Sequence, residues 1–254
     1  MKPSPAYVKK INRFHVLLSL LVISVCAIPF RAQVQRPVVA AIQVMKGKKT
    51  IADRLVQYGD AARARLAPFF VHADVAYPPE RVTLVGLKAE RTVQVWVTGA
   101  DGAWKHLRDY AIQGMSGTLG PKLKEGDMQV PEGCYRIESL NPNSLYHLAL
   151  RVSYPNAEDR RRGRQDGRAD LGSDIMVHGK TCSIGCLAMG DEASEDLFVL
   201  AAETGIDNVA LILSPVDFRV RDLPRDMPPL PAWADQLYTS IRQELAALSF
   251  PTEP

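Results

Sequence analysis

The segment DIMVHGKTCSIGCLAMG, Asp174 to Gly190, combines several residue types that take part in chemistry. His178, Cys182 and Cys186 follow one another at intervals of four residues, and Ser183 and Gly185 lie just ahead of the last cysteine. Three kinds of site use such residues: a zinc centre, a disulfide, and a cysteine nucleophile with a histidine base.

The zinc and disulfide alternatives each lack one element. Zinc accepts imidazole and thiolate ligands, but a structural zinc site has four ligands and no fourth candidate is nearby in the sequence. A disulfide between Cys182 and Cys186 would close a very small loop, which constrains the unfolded chain little and demands special geometry. We predict no metal and no cofactor.

A cysteine nucleophile reacts as the thiolate, which a neighbouring histidine, backbone N–H groups or a helix N-terminus can stabilise. His178 is expected at the end of a strand, Gly185 allows a tight turn, and a helix is expected to begin near Asp191. The backbone N–H of Cys186 and its neighbours would then form an oxyanion hole, at about 3 kcal/mol per donor. All three kinds of site remain open on these residues alone.

Hydrophobic periodicity indicates the elements that must position this segment. Apolar residues recur at helical spacing in 51–69 and in 233–245, and 191–204 has acidic residues at its start and Gly205 after its end. Residues 81–89 and 91–99 alternate and are β-branched, which predicts an antiparallel hairpin. Further strands are expected at 104–112, 134–140, 146–154, 174–179 and 208–214. The fold class is therefore α+β, a β-rich domain with flanking helices.

Three segments are expected to be irregular. The Gly- and Pro-rich residues 117–133 predict a long excursion, and Asn141 to Ser144, NPNS, predicts a turn. The cluster DRRRGRQDGR, Asp159 to Arg168, predicts a solvated flexible loop. A formal net charge of +3 with no long run of like charges argues against nucleic-acid binding.

The N-terminus has the layout of an export signal. Lys9, Lys10 and Arg13 precede the apolar run Val16 to Phe30, which is short for a membrane span. We predict a signal peptide or an uncleaved N-terminal anchor at 1–32, the only expected membrane contact, and a periplasmic location. Three cysteines follow, and an odd number in an oxidising compartment leaves at least one thiol free or paired between chains.

The segment HGKTCSIGCLAM resembles the His-Gly and Ser-x-Gly-Cys signature of the L,D-transpeptidase (YkuD-type) catalytic domain. The similarity extends through GTLGPKLKEGDMQVPEGCYRI, LNPNS and YPNAEDR, and it is greatest to the YafK-like branch of that family. It covers about 81–214. Two positions differ from the main branch, which has arginine at the position of Ala188 and often histidine at that of Ile184.

The resemblance implies a β-sandwich-like catalytic domain in which Cys186 attacks an amide carbonyl and His178 is the general base. Gly179 would orient the imidazole through its carbonyl, and Ser183, with Gly185, would shape the nucleophile loop. Asp159, Arg160 and Tyr154 are candidate substrate-binding residues. The predicted domains are a linker and helix at 33–80, the catalytic domain at 81–217, and a Pro-rich segment with a helix at 218–254.

The expected function is that of an exported acyl-transfer enzyme acting on peptidoglycan stem peptides. The alternative is a hydrolase that releases a peptide or a wall-linked lipoprotein from diaminopimelate of the stem peptide. An alternative of a different class is a catalytically silent wall-binding module. An amine or water attacking the thioester distinguishes transferase from hydrolase, and the sequence does not choose between them.

Overall fold

In the computed structural model, which describes residues 47–248, the strands follow one continuous order, β3-β2-β1-β8-β4-β5-β6-β7. The strands are β1 Arg81–Leu87, β2 Thr92–Thr98, β3 Trp104–Ala111, β4 Gly133–Ser144, β5 His147–Val152, β6 Met176–His178, β7 Leu187–Ala188 and β8 Val209–Ser214. The predicted hairpin is β1 with β2, and the central pair of β1 with β8 is parallel. The α+β, β-rich prediction is confirmed.

Four α-helices flank the sheet within the described residues: α1 Ile51–Ala73, α2 Ala157–Gln165, α3 Asp191–Thr204 and α4 Ala234–Ala246. A capping box begins α1, because the Thr50 hydroxyl accepts from the Asp53 N–H and the Asp53 carboxylate accepts from the Thr50 N–H. Helix α3 begins after Gly190 and ends at Gly205, both with positive φ. The predicted helices at 51–69, 191–204 and 233–245 are therefore present.

The central strands are buried on both faces. Side chains of β1 alternate between two apolar clusters: Val82 and Leu84 join the cluster that contains α1 and α3, and Val85 and Leu87 join the one that contains α4. Full burial of each such side chain contributes roughly 1.5–3 kcal/mol. The hairpin is thus the middle layer of the protein.

The predicted turn at Asn141 to Ser144 is wrong. Strand β4 runs through these residues, with register shifts against β5, and the turn falls on Leu145 and Tyr146. The Asn143 side chain is used elsewhere: its amide oxygen accepts from the Lys49 N–H at 2.9 Å and its amide donates to the Lys49 carbonyl at 2.7 Å. Asn143 therefore contacts the backbone just before α1 instead of forming a turn.

The predicted flexible loop at Asp159 to Arg168 is also wrong, because residues 159–165 belong to helix α2. The Asn156 side chain caps the helix by accepting from the N–H groups of Glu158 and Asp159, and the Asp159 carboxylate accepts from the Asn156 N–H. Arg162 is only 4% exposed and stacks on the Trp233 ring. Burial of one face turned a charged segment into ordered structure.

The described residues from Lys48 to Leu248 belong to one compact unit. Helix α1 is tied to α3 by an ion pair between Arg65 and Asp196 at 2.7 Å, and α4 packs on the opposite face of the sheet. No helix in the described part of the chain is both long and apolar enough to cross a membrane. The predicted export signal lies outside the described residues, and the domain boundaries stay predictions.

Candidate active site

His178 ends strand β6 and is almost fully buried, at 2% exposure. Its Nδ1 lies 2.6 Å from the carbonyl oxygen of Gly179, which can only accept a hydrogen bond, so Nδ1 carries the proton. The Nε2 lone pair is therefore available to take a proton. Burial lowers the pKa of His178, against the smaller opposite effect of the Gly179 carbonyl, so the imidazole is neutral at physiological pH.

Gly179 has no room for a side chain. A Cβ atom there would lie 2.7 Å from the Asp191 carboxylate, 2.8 Å from the His147 Cβ and 2.8 Å from the Tyr146 carbonyl. The backbone that orients His178 can approach these groups only as glycine. The geometry matches the role that the resemblance implies for Gly179.

Cys186 lies one residue before β7, which pairs in parallel with β6 so that His178 is opposite Ala188. Cys186 itself lies in a bend, and alternation extended by one residue predicts its side chain on the sheet face of Ala188 and His178. The thiol donates to the carbonyl of Asp174 at 3.6 Å, and Cys186 and His178 share no hydrogen bond in the described structure. Burial raises the pKa of the Cys186 thiol to about 11, and the resting state is a neutral thiol.

The turn before Cys186 is built by Ser183 and Gly185. The Ser183 hydroxyl accepts from the Cys186 N–H at 3.0 Å and donates to the Cys186 carbonyl at 2.6 Å. Gly185 has φ of 88°, a conformation that favours glycine. Both residues therefore fix the backbone on either side of the sulfur.

The expected stabilisers of a thiolate are arranged differently from the prediction. The Cys186 N–H is occupied by Ser183, and the Gly185 N–H donates to the Ser116 hydroxyl at 2.7 Å, so neither is an open oxyanion donor. Helix α3 begins at Asp191, as the sequence predicts, and the short strand β7 lies between Cys186 and the helix.

The structure does not gather His178, Cys182 and Cys186 as metal ligands. Among residues 47–248 no three His, Cys, Asp or Glu side chains converge on one point where a metal ion could bind. Cys186 is a free thiol, which leaves the Cys182–Cys186 disulfide unformed. Of the three kinds of site, the nucleophile is the one that the geometry favours.

The candidate substrate residues lie on or beside α2. Tyr154 is buried and donates to the Leu171 carbonyl at 2.8 Å, and Asp159 caps α2 and accepts from the Tyr135 hydroxyl at 3.3 Å. Burial raises the pKa of Asp159. Arg160 is exposed on the same helix. Tyr154 and Asp159 thus have partners inside the protein, and the substrate role of all three stays a prediction.

Lys122 is a buried lysine near the site. Its ammonium group is buried and donates to the Lys124 carbonyl at 2.9 Å and to the Asp127 carboxylate at 2.6 Å, whereas Lys124 is exposed. Its charge opposes in part the effect of burial on the pKa of Cys186. Lys122 therefore contributes to the electrostatics of the nucleophile from inside the protein.

Tyr146 is a site residue that the sequence did not single out. Its ring lies 4.7 Å from the His178 ring, centroid to centroid, and burial raises its pKa, with a further contribution from the nearby Cys186. Tyr146 reaches this position because the turn falls at Leu145 and Tyr146 rather than at Asn141 to Ser144. The only signal in the sequence was its location at the start of a predicted strand.

Part of the chain is similar in sequence to known proteins. No family model matches the chain. Over 113 residues the chain is 37% identical to the "Putative L,D-transpeptidase YafK" of Escherichia coli K12, and to the protein of the same name from strain O157:H7. The resemblance to the YafK-like L,D-transpeptidases is thus confirmed. The match covers 44% of this chain and 43% of the YafK sequence, so the chain spans less than half the length of these curated relatives.

Three solved structures are distantly similar. They are the helical cell shape determining protein Pgp2 of Campylobacter jejuni (22% identity, TM-score 0.43, 54% of this chain and 48% of that one), Bd1075 of Bdellovibrio bacteriovorus (18%, 0.41, 67% and 56%) and L,D-transpeptidase 1 of Mycobacterium tuberculosis (16%, 0.30, 53% and 62%). At these TM-scores the superpositions say nothing about the chemistry of this chain.

Proposed function

We propose that this protein is an exported cysteine acyl-transfer enzyme that acts on peptidoglycan stem peptides, with Cys186 as nucleophile and His178 as base. One observation carries the proposal: a neutral imidazole, with its tautomer set by the Gly179 carbonyl and its Nε2 unbonded, shares a sheet face with a weakly bonded thiol. A nucleophile beside a base that a third group orients is the arrangement that covalent catalysis requires.

The reaction begins when the thiol leaves the Asp174 carbonyl and forms a hydrogen bond with Nε2 of His178. Because its pKa is about 11, the thiol passes its proton to Nε2 as the sulfur attacks the amide carbon of the stem peptide. The C–N bond then breaks, the imidazolium returns the proton to the leaving amine, and a thioester to Cys186 remains. An incoming amine or water gives its proton to His178, attacks the thioester carbon and releases the thiolate, which takes the proton back.

The substrate class rests on the family resemblance and on the name of the YafK relatives. Aminolysis of the thioester by a second stem peptide would make the enzyme a transpeptidase. Hydrolysis at a diaminopimelate linkage is the second candidate, and one feature favours it: position 188 holds a fully buried alanine. No polar side chain at that position reaches an acceptor amine.

Substitution of the nucleophile tests the proposal. We expect Cys186→Ala to abolish turnover of purified tetrapeptide, tripeptide and cross-linked muropeptides, and to prevent formation of a thioester adduct detected by intact mass. The matched control is Cys134→Ala, which removes the other free thiol of the described residues and should leave turnover unchanged. Unchanged turnover in Cys186→Ala would refute the assignment of Cys186 as nucleophile, and absence of turnover in wild type would favour a silent wall-binding module.

The same incubations distinguish aminolysis of the thioester from its hydrolysis. Cross-linked products of summed mass indicate an amine acceptor, and shortened peptides with one added water indicate hydrolysis. Export is tested separately, by fractionating cells that express the full chain and locating it in the periplasmic, membrane or cytoplasmic fraction. Recovery in the cytoplasmic fraction alone would contradict export without touching the chemistry.

A further inference from the structure

We propose that Ser116, on the excursion between β3 and β4, is a positioning residue that holds the nucleophile turn in its reactive geometry. The inference rests on the proposed function of Cys186. The Ser116 hydroxyl accepts from the Gly185 N–H at 2.7 Å and donates to the Met128 carbonyl at 2.8 Å. A hydroxyl has one proton, so both of its roles are fixed by these two partners.

The excursion is attached to the strand that follows Cys186. The N–H groups of Gln113 and Gly114 donate to the Ala188 carbonyl at 2.8 and 3.1 Å, and the Ala188 N–H donates to the Gly114 carbonyl at 2.9 Å. A Cβ at Gly114 would lie 1.9 Å from the Thr181 carbonyl, so the excursion and the nucleophile loop touch through backbone. Strand β7 is therefore held by β6 and also by the excursion.

The other end of the excursion is anchored in the core. Glu132 and Lys88 form an ion pair at 2.9 Å with both side chains almost fully buried, and Lys88 also donates to the carbonyls of Gly120 and Val130 at 2.9 and 3.0 Å. With both ends fixed, the residues between them form a surface that supports the nucleophile turn. The Gln129 carbonyl is part of it, 3.2 Å from where a Cβ of Gly185 would lie.

Ser116 is the residue of this surface whose side chain hydrogen-bonds to the turn itself. Gly185 immediately precedes Cys186, and its left-handed backbone makes it the residue about which the turn would rotate most easily. A hydrogen bond to its N–H limits that rotation. Since misplacing a reacting group by about 1 Å can cost about 100-fold in rate, loss of this bond should affect catalysis more than folding.

The test compares Ser116→Ala with a matched control and a rescue variant. The control is Ser153→Ala, which removes a hydroxyl that also accepts a backbone N–H, that of Arg136 at 3.0 Å, outside the site. The rescue is Ser116→Thr, which keeps the hydroxyl. We expect Ser116→Ala to lower kcat by about tenfold or more with KM within about twofold, Ser153→Ala to leave both unchanged, and Ser116→Thr to recover most of kcat.

A second measurement does not depend on turnover. Alkylation of Cys186 by iodoacetamide, followed on its own fragment ions by mass spectrometry, gives a rate against pH that should rise towards the thiol pKa of about 11. We expect this profile to shift in Ser116→Ala and to stay unchanged in Ser153→Ala, because only the first alters the surroundings of the sulfur.

Each outcome decides the proposal. A kcat and an alkylation profile in Ser116→Ala that match wild type would overturn it, as would failure of Ser116→Thr to restore either. If Ser116→Ala does not fold, Ser116 belongs to the fold and the proposal is wrong. If wild type turns over no muropeptide, the proposed function fails, and the alkylation profile still reports whether Ser116 positions the thiol.

Discussion

Two pairs of polar residues in this protein, Lys88 with Glu132 and His178 with Cys186, have opposite hydrogen-bonding states. The Lys88 ammonium pairs with the Glu132 carboxylate and also donates to two backbone carbonyls. The Glu132 carboxylate also accepts from the Gly120 N–H. The Tyr238 hydroxyl adds another to Glu132 at 2.8 Å. The His178 ring makes one such bond, and the Cys186 sulfur makes a weak S–H contact of 3.6 Å with Asp174 and has a hydrogen bond with the Met176 backbone, which opposes the effect of burial on its pKa.

The proposed function accounts for this difference. A buried charge costs several kcal/mol unless every lone pair and proton is matched, so a structural ion pair must be saturated. A nucleophile and its base need unused capacity, because each must form a new bond during the reaction. A neutral group with an unused hydrogen-bonding position costs less free energy to bury than a charged one. Burial holds both His178 and Cys186 neutral.

The largest effect is expected from breaking the saturated pair. Glu132→Ala would leave the Lys88 ammonium buried without its counter-charge and should lower the free energy of unfolding by roughly 3–5 kcal/mol in guanidinium titrations. The control is Asp222→Ala, which breaks the exposed ion pair with Arg242 and should cost less than about 1 kcal/mol. Equal losses in the two variants would contradict the contrast.

Removal of the base should affect rate rather than folding. His178→Gln keeps a side chain of similar size but has no group of suitable pKa, and we expect kcat on muropeptides to fall about 10²- to 10⁴-fold. His106→Gln is the matched control, since His106 pairs with Asp109 away from the site, and it should retain wild-type kcat. A His178→Gln enzyme with near wild-type kcat would show that another group takes the proton.

The smallest effect is a pH dependence of stability. Burial lowers the pKa of His178 below the ordinary value of 6.5, so below that pH the unfolded chain binds a proton that the folded site refuses. The share of stability linked to His178 is therefore complete above pH 6.5 and is lost as the pH falls towards the folded pKa. Unfolding titrations from pH 7.5 to about 5 should show this decline in wild type and a shallower one in His178→Gln; identical slopes would argue against a buried neutral imidazole.

The sequence predicted the parts of this site that depend on short-range pattern. Helical and alternating periodicity located α1, α3, α4 and the β1–β2 hairpin, since the apolar faces of these elements are set by local spacing. The conformation of the segment Asp174 to Gly190 also depends largely on local contacts. Gly179, Ser183 and Gly185 each act on neighbours within a few residues. Signature and geometry agree there because the contacts are local.

The errors share a physical cause in contacts between distant residues. Asn141 to Ser144 formed a strand because Asn143 bonds to Lys49, and α2 formed because Arg162 is covered by Trp233. Ser116, Tyr146 and the Lys88–Glu132 anchor lie far in sequence from the residues they support, and no local spacing marks them. Of the predicted oxyanion donors, the Gly185 N–H is occupied by Ser116, a serine 69 residues away, whereas the Cys186 N–H is occupied by the nearby Ser183.

The sequence by itself thus identified the candidate reactive groups, the elements that carry them and the resemblance to the YafK-like L,D-transpeptidases. Only the tertiary structure decided the state in which those groups rest: a neutral thiol turned to the Asp174 carbonyl, an imidazole with one committed nitrogen, and a nucleophile turn held from outside by Ser116. Residue identity and spacing encode chemical capacity and local conformation. Burial, pKa and hydrogen-bond occupancy depend on which distant segments the fold brings into contact, and these set whether that capacity is free to react.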